Sequence, residues 1–286
     1  MTIKVYFEAT EIPVKSMIFP GGEINVRLDY DGRDLPGFTG GLRVTGEIHI
    51  VANLRSSNDI FELLLVSDAV RHAVPYHNIH VTIPYFPYAR QDRVCNGGEA
   101  LSVKVLSNII NSQSYRSVTV WDPHSDVTAA LLCNVKILEP VYFLRESPDS
   151  VWDKDTVLVA PDAGAIKKVA KLCYQLHFGI PLQMVRADKT RDTKTGALSG
   201  TVVYGDVKDK HVLIVDDICD GGYTFIQLGK ELKRLGAKRV GLYITHGIFS
   251  KGVDVLHGAI DEVYCPNVWE ENVLGRNEFG ILKEGI

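Results

Sequence analysis

The sequence lacks any cysteine pattern that would staple a fold or hold a metal. Cys95, Cys133, Cys173, Cys219 and Cys265 are dispersed and odd in number, and no two of them form a CxxC. That excludes a disulfide framework and a cysteine zinc site, and it suits a reducing cytoplasm. Basic excess is missing too. With 31 Lys and Arg against 35 Asp and Glu the net charge is −4, which gives no support to a nucleic-acid partner. No apolar run approaches the roughly 20 residues that a membrane helix needs. The opening Met1-Thr2-Ile3-Lys4-Val5-Tyr6-Phe7 alternates like a short strand and has no signal-peptide core. Neither a Walker-type GxxxxGK(S/T) nor a well-placed GxGxxG occurs, which leaves a plain nucleotide-binding protein as a weak reading.

What is present is a chain of 286 residues, 45% hydrophobic and 23% charged, an ordinary balance for a globular enzyme and enough for two domains. Short apolar runs recur at Ile48–Val51, Ile79–Ile83 and Ser117–Trp121, and again at Thr156–Ala160, His211–Val215 and Val240–Ile244. Between them lie helical patterns. Asp59–His72 sets Ile60, Leu63, Leu64 and Ala69 on one face, and Ser102–Ser112 does the same with Val103, Val105, Leu106 and Ile109. Phe225–Leu235 carries Leu228 and Leu232 and stops at Gly236, a C-cap residue. Apolar strands alternating with helices predict parallel sheets covered on both faces. The similar spacing in both halves predicts two tandem α/β domains, 1–140 and 141–286, divided near Glu139-Pro140.

The richest segment is Val212-Leu213-Ile214-Val215-Asp216-Asp217-Ile218-Cys219-Asp220-Gly221-Gly222-Tyr223-Thr224, with a helical pattern directly after it. A buried strand ends in two carboxylates, then come a glycine pair and a hydroxyl at a helix start. Ligands of open α/β sheets bind outside the carboxyl ends of strands. Glycines let backbone N–H groups surround an anion, and the helix N-terminus favours it. The carboxylates repel phosphate, so they make sense as holders of ribose hydroxyls or of a neutralising cation. The plain alternative is a strand-to-helix turn with Asp220 as N-cap.

This segment resembles the phosphoribosyl-diphosphate loop of the type I phosphoribosyltransferase fold. Asp216, Asp217, Asp220 and Thr224 match, Gly221 stands where threonine is usual, and Tyr223 stands where glycine is usual. A second stretch, Ile83-Pro84-Tyr85-Phe86-Pro87-Tyr88-Ala89-Arg90-Gln91-Asp92-Arg93, resembles the ribose-phosphate diphosphokinase signature. Its aromatics and guanidinium groups suit a purine ring and a polyphosphate. Phe19-Pro20-Gly21-Gly22-Glu23, Asp122-Pro123-His124, Pro161-Asp162-Ala163-Gly164, Asp188-Lys189-Thr190-Arg191 and Thr245–Ser250 resemble further family segments in order and spacing.

The resemblance implies two phosphoribosyltransferase-like domains, each a mainly parallel sheet flanked by helices. The first is implied to face ATP and the second the sugar phosphate. It implies transfer of the β,γ-diphosphate of ATP to a ribose 5-phosphoryl acceptor, with Mg2+ as cofactor and AMP released. Phe19, Glu23, Arg90, Gln91 and Asp92 would hold ATP, His124 and Asp162 the metal. Asp216, Asp217, Asp220, Gly221, Gly222, Tyr223 and Thr224 would hold the ribose and its phosphoryl group. Lys189 and Arg191 would act on the transferring diphosphate from a mobile loop, and by default the polar stretch Arg186–Gly196 reads as a solvated loop. A homo-oligomer, dimer or hexamer, is implied as well. The departures fall on ligand segments. Val94-Cys95-Asn96-Gly97-Gly98-Glu99 has no positive charge where the family is basic, and Gly21 replaces an aspartate. Fewer donors at Gly221 and a new ring at Tyr223 point to ribose 5-phosphate or to a larger acceptor such as ADP-ribose. A phosphoribosyltransferase and a non-catalytic regulatory homologue are the competing classes.

Overall fold

The computed structural model describes residues 3–29, 46–75, 77–145, 156–176, 182–191 and 198–269. The chain divides into two compact units, Met1–Leu138 and Glu139–Ile286.

The first unit opens with β1 (Ile3–Phe7), β2 (Thr10–Ile12), β3 (Val14–Ile18) and β4 (Ile24–Leu28). It continues through β5 (Glu47–Ala52), α1 (Ser57–Ala73), β6 (Asn78–Ile83), α2 (Ser102–Ser112), β7 (Ser117–Trp121), α3 (Asp126–Leu131) and β8 (Val135–Leu138). Its sheet runs β2-β1-β5-β6-β7-β8. The pairs from β5 to β8 are parallel, while β1 is antiparallel to both β2 and β5. The sequence pattern predicts the parallel centre; the antiparallel edge and the separate β3–β4 hairpin are additions. Helix α1 starts where Ser56 and Asp59 exchange hydrogen bonds, Asp59 N–H to Ser56 Oγ at 3.3 Å and Ser56 N–H to Asp59 Oδ2 at 2.6 Å. This capping box fixes the entry of the chain.

The second unit holds α4 (Pro140–Arg145), β9 (Val157–Ala160), α5 (Ile166–Gln175), β10 (Gln183–Arg191), β11 (Leu198–Tyr204) and β12 (His211–Cys219). Then follow α6 (Tyr223–Arg234), β13 (Arg239–Gly247), a 3-10 turn at Val253–Leu256, β14 (Glu262–Tyr264) and β15 (Asn267–Val268). The sheet order is β11-β10-β9-β12-β13-β14, with β15 also on β13. Every pair is parallel except β10 with β11. Strands β9 and β13 are buried almost throughout, as an apolar parallel strand covered on two faces should be. Helix α6 ends as its glycine predicts. Gly236 takes φ +90°, its N–H reaches Lys233 O at 3.0 Å, and the Ala237 N–H reaches Leu232 O at 3.0 Å. The paired bonds form a Schellman motif.

The expectation of a solvated loop over Arg186–Gly196 is corrected in part. Arg186 to Arg191 lie on β10, where Lys189 pairs with Thr201 and the register slips between Thr190 and Arg191. A polar segment becomes strand here because a partner strand satisfies its backbone, which needs no apolar period. Asp192 to Gly196 lie outside the described residues. No helix among the described residues is long and apolar enough to cross a membrane.

Candidate functional site

In the first unit the loops after β5, β6 and β7 leave from one edge of the sheet. The loop after β6 is anchored by Phe86 and Ala89, both buried, and turned by Tyr88 at φ +63°. The Gln91 N–H closes the turn on Tyr88 O at 2.8 Å, and the Tyr88 hydroxyl lies 3.3 Å from Ser57 Oγ at the start of α1. This leaves Arg90 and Gln91 exposed and Asp92 half-buried. Burial pushes the Asp92 carboxyl up, yet hydrogen bonds from Ser125 and Arg93 hold it below its ordinary range. Ser125 follows His124 and caps α3 through the Val127 N–H at 3.3 Å. The structure therefore joins the Arg90–Asp92 segment to the Asp122–His124 segment, with Asp122 buried and His124 exposed.

Phe19 and Glu23 lie elsewhere in this unit, at the tip of the β3–β4 hairpin. The Phe19 N–H donates to Glu23 O at 2.8 Å, the Gly22 N–H to Phe19 O at 2.8 Å, and Gly22 adopts φ +90°. The tip exposes Met17, Ile18 and Phe19 together.

In the second unit, parallel β9, β10, β12 and β13 bring the carboxyl ends of four strands to one edge. Asp162 follows β9, Lys189 and Arg191 end β10, and Asp216, Asp217 and Asp220 end β12. Because Ala160 pairs with Arg186, Lys189 stands three residues beyond the end of β9. Asp162 Oδ1 accepts the N–H groups of Gly164 at 3.1 Å and Ala165 at 3.3 Å, closing the turn before α5.

Asp216 and Asp217 carry the strongest electrostatic signal. Asp216 is pushed well above the ordinary carboxylate range, first by burial and then by the neighbouring charge and carboxyl of Asp217. Lys168, half-buried on α5, opposes this only weakly. A carboxyl that binds its proton more tightly when folded lowers stability as pH rises from the ordinary carboxylate range through the raised value. The pair is thus a burden without a ligand that donates hydrogen bonds or brings positive charge. Asp216→Asn is expected to raise the stability of the ligand-free protein at neutral pH by about 1 kcal/mol and to flatten its decline with pH. Thermal unfolding from acidic to neutral pH tests this, and a lower midpoint in the variant at neutral pH would contradict it.

Past the acids the chain does not use Asp220 as the N-cap of α6. Gly222 is the N-cap, at φ +76°, and offers no side-chain cap to the first turn. A side chain at 222 is barred twice, by that backbone and because a β-carbon would lie 3.1 Å from Leu256 Cδ2. Gly221 is different: a β-carbon there would meet only Lys251, at 3.7 Å. Tyr223 is exposed, and Thr224 is half-buried in the first turn. An uncapped helix start beside paired glycines is chemically suited to an anion. Lys168 and Lys251 are the residues that sequence reasoning missed. Both reach this edge through tertiary contacts, and neither stands in a matched motif.

The N-terminal domain of ribose phosphate pyrophosphokinase matches residues 3–113, and the phosphoribosyl transferase domain matches residues 141–277. A ribose-phosphate pyrophosphokinase of Pyrococcus furiosus is 31% identical over 270 residues, covering 93% of this chain and 88% of the relative. One from Thermotoga maritima is 29% identical over 267 residues, covering 89% and 78%. The crystal structure of phosphoribosylpyrophosphate synthetase from Mycobacterium smegmatis shares the fold, with TM-score 0.76 and 23% identity over 96% of this chain and 87% of that one. Two domain models in the right order, and a relative matched along most of both lengths, place this chain in the ribose-phosphate pyrophosphokinase family.

Proposed function

We propose that the protein transfers the β,γ-diphosphate of ATP to the anomeric hydroxyl of a ribose that carries a 5-phosphoryl group. The observation that carries the reading is the end of β12. A crowded acid pair that calls for hydroxyl or cationic partners stands directly before an uncapped, glycine-lined helix start. Asp216 and Asp217 orient the ribose hydroxyls, and the loop from Asp220 to Thr224 receives the 5-phosphoryl group. The anomeric oxygen forms a bond to the β-phosphorus, the bond from that phosphorus to the α-phosphate oxygen breaks, AMP leaves, and the hydroxyl proton passes to solvent. Such a reaction asks mainly for positioning and charge neutralisation. Arg90, Gln91 and Asp92 hold ATP in the first domain (1–140), Phe19 and Glu23 contribute from the hairpin, and Lys189 and Arg191 act in the second (141–286).

Mg2+ fits these residues. Among the described residues no three His, Cys, Asp or Glu side chains form a metal cage. Mg2+ bound largely by phosphates and water needs only one or two protein ligands. His124 in the first unit and Asp162 in the second would each serve as such a ligand, and bound Mg2+ would supply charge neutralisation of the phosphates.

Two observations favour a larger acceptor such as ADP-ribose. Gly221 carries no side chain and only the Lys251 stem, at 3.7 Å, borders its β-carbon position, and Tyr223 is 54% exposed at the start of α6, where its ring can stack on a base. Incubation with ATP and Mg2+ plus either acceptor, followed by AMP release and product mass, decides. AMP with a diphosphate gain on ribose 5-phosphate supports the first acceptor, the same gain on ADP-ribose alone supports the second, and no AMP with either overturns the reading. The same reading includes a cytoplasmic homo-oligomer, consistent with five free thiols and the exposed apolar hairpin tip. Light scattering tests the assembly.

A further inference from the structure

The loop assigned to the 5-phosphoryl group has a charge problem. Residues 216–224 contain Asp216, Asp217 and Asp220 and no lysine or arginine. A phosphate placed there meets like charge, and the hydroxyl of the usual threonine is absent at Gly221.

The segment after β13 answers it. The Ile248 and Phe249 N–H groups both donate to Cys219 O, at 2.9 and 3.1 Å, so this segment is clipped to the end of β12 immediately before Asp220. Phe249 is buried at φ +46°, its ring packed over Gly247, where a β-carbon would lie 2.1 Å from Cε2. The Gly252 N–H then closes a turn on Phe249 O at 2.8 Å, with Ser250 and Lys251 between them. Lys251 is therefore presented from a fixed turn. Its Cδ and Cε lie 3.7 Å from the β-carbon position at Gly221, while the residue as a whole is exposed. This is a lysine stem lying on a glycine with its charged end in solvent.

We propose that Lys251 binds the 5-phosphoryl group of the acceptor at the Asp220–Thr224 loop and takes over from the missing threonine hydroxyl. Gly221 and Lys251 form one device: the bare glycine seats the stem, and the ammonium supplies the cation that the loop lacks. The inference rests on the reading of that loop as the acceptor site.

The test uses the full chain as wild type, Lys251→Gln and Lys251→Arg. AMP release is measured with ATP and Mg2+ against whichever of ribose 5-phosphate or ADP-ribose the wild type accepts. Calorimetric titration of the same acceptor without ATP accompanies it. Lys251→Gln is expected to raise the acceptor KM and Kd by about tenfold or more, as loss of a charge-assisted hydrogen bond does. The KM for ATP should stay within about twofold, and arginine should restore most of the loss, since it keeps the cation. Equal acceptor affinity in Lys251→Gln and wild type overturns the role of Lys251 and leaves the proposed function standing. A parallel rise in the KM for ATP also overturns it, because a structural defect would act on both. A wild type that neither binds nor uses either acceptor removes both claims.

Discussion

Replacing Lys189 with alanine is expected to lower the turnover of AMP release by about a thousandfold, while the affinity for the acceptor should change by less than about threefold. The magnitude is that of removing one preorganised charge from a transferring group. Lys189 lies on β10 beyond the end of β9, at the same strand edge as Asp162 and the Asp220–Thr224 loop. A cation acting on the β-phosphorus gains strength as charge develops there, so its loss falls on turnover. Lys189→Arg keeps the charge and should recover part of the rate. Steady-state kinetics paired with calorimetry separates the two quantities. Unchanged turnover in the alanine variant would remove Lys189 from the chemistry, and a large loss of acceptor affinity would reassign it to binding.

The largest effect on stability is expected at Gly229, in the middle of α6. Helix propensity alone favours alanine there by about 1 kcal/mol. The structure reverses the sign. A β-carbon at 229 would lie 2.5 Å from Ala259 O and 2.9 Å from Ile260 Cδ1, and the first is backbone that cannot rotate away. Helix α6 would have to lift off the Ala259–Ile260 segment, exposing buried Leu228 and Leu232. Gly229→Ala should cost about 2–4 kcal/mol, the range of an overpacked core position. Because α6 begins at the loop proposed to bind phosphate, acceptor affinity should fall with stability. Urea unfolding measures the first and calorimetry the second. A midpoint equal to wild type would mean that the helix moves freely, and the rigid placement of the loop would go with it.

The parallel centres of both sheets were legible because a strand buried on two faces must be an apolar run of four to eight residues, as Val157–Ala160 is. Helices α1, α2 and α6 declared themselves by period, although Val105 and Ile109 of α2 are exposed, and α6 also by its stop at Gly236; α3, α4 and α5 were not read. The β3–β4 hairpin was not legible. Of β3 only Val14 is buried, so its sequence carries no alternation to read. The β10–β11 ribbon escaped for a related reason, since Asp188-Lys189-Thr190-Arg191 is polar at every position and only pairing with Thr201 and its neighbours makes it strand. At the candidate site the motif residues were legible one by one. The N-cap was not, because aspartate is the better capping residue in general, whereas here the chain turns into the helix through a left-handed residue, Gly222 at φ +76°. Nor were Lys168 and Lys251, whose relevance comes from chain distant in sequence.

The double clip of Ile248 and Phe249 onto the Cys219 carbonyl has a consequence for how such an enzyme changes over generations. It divides the neighbourhood of the loop into positions that cannot vary and positions that can. Gly222, Gly229 and Gly247 are boxed in by backbone or by buried side chains, so drift there is purged as misfolding. Tyr223 and Lys251 are exposed, and a β-carbon at Gly221 would meet only the Lys251 stem, at ordinary contact distance. If the proposed acceptor site is right, these three positions can change with little risk to folding, and the acceptor they serve can change with them.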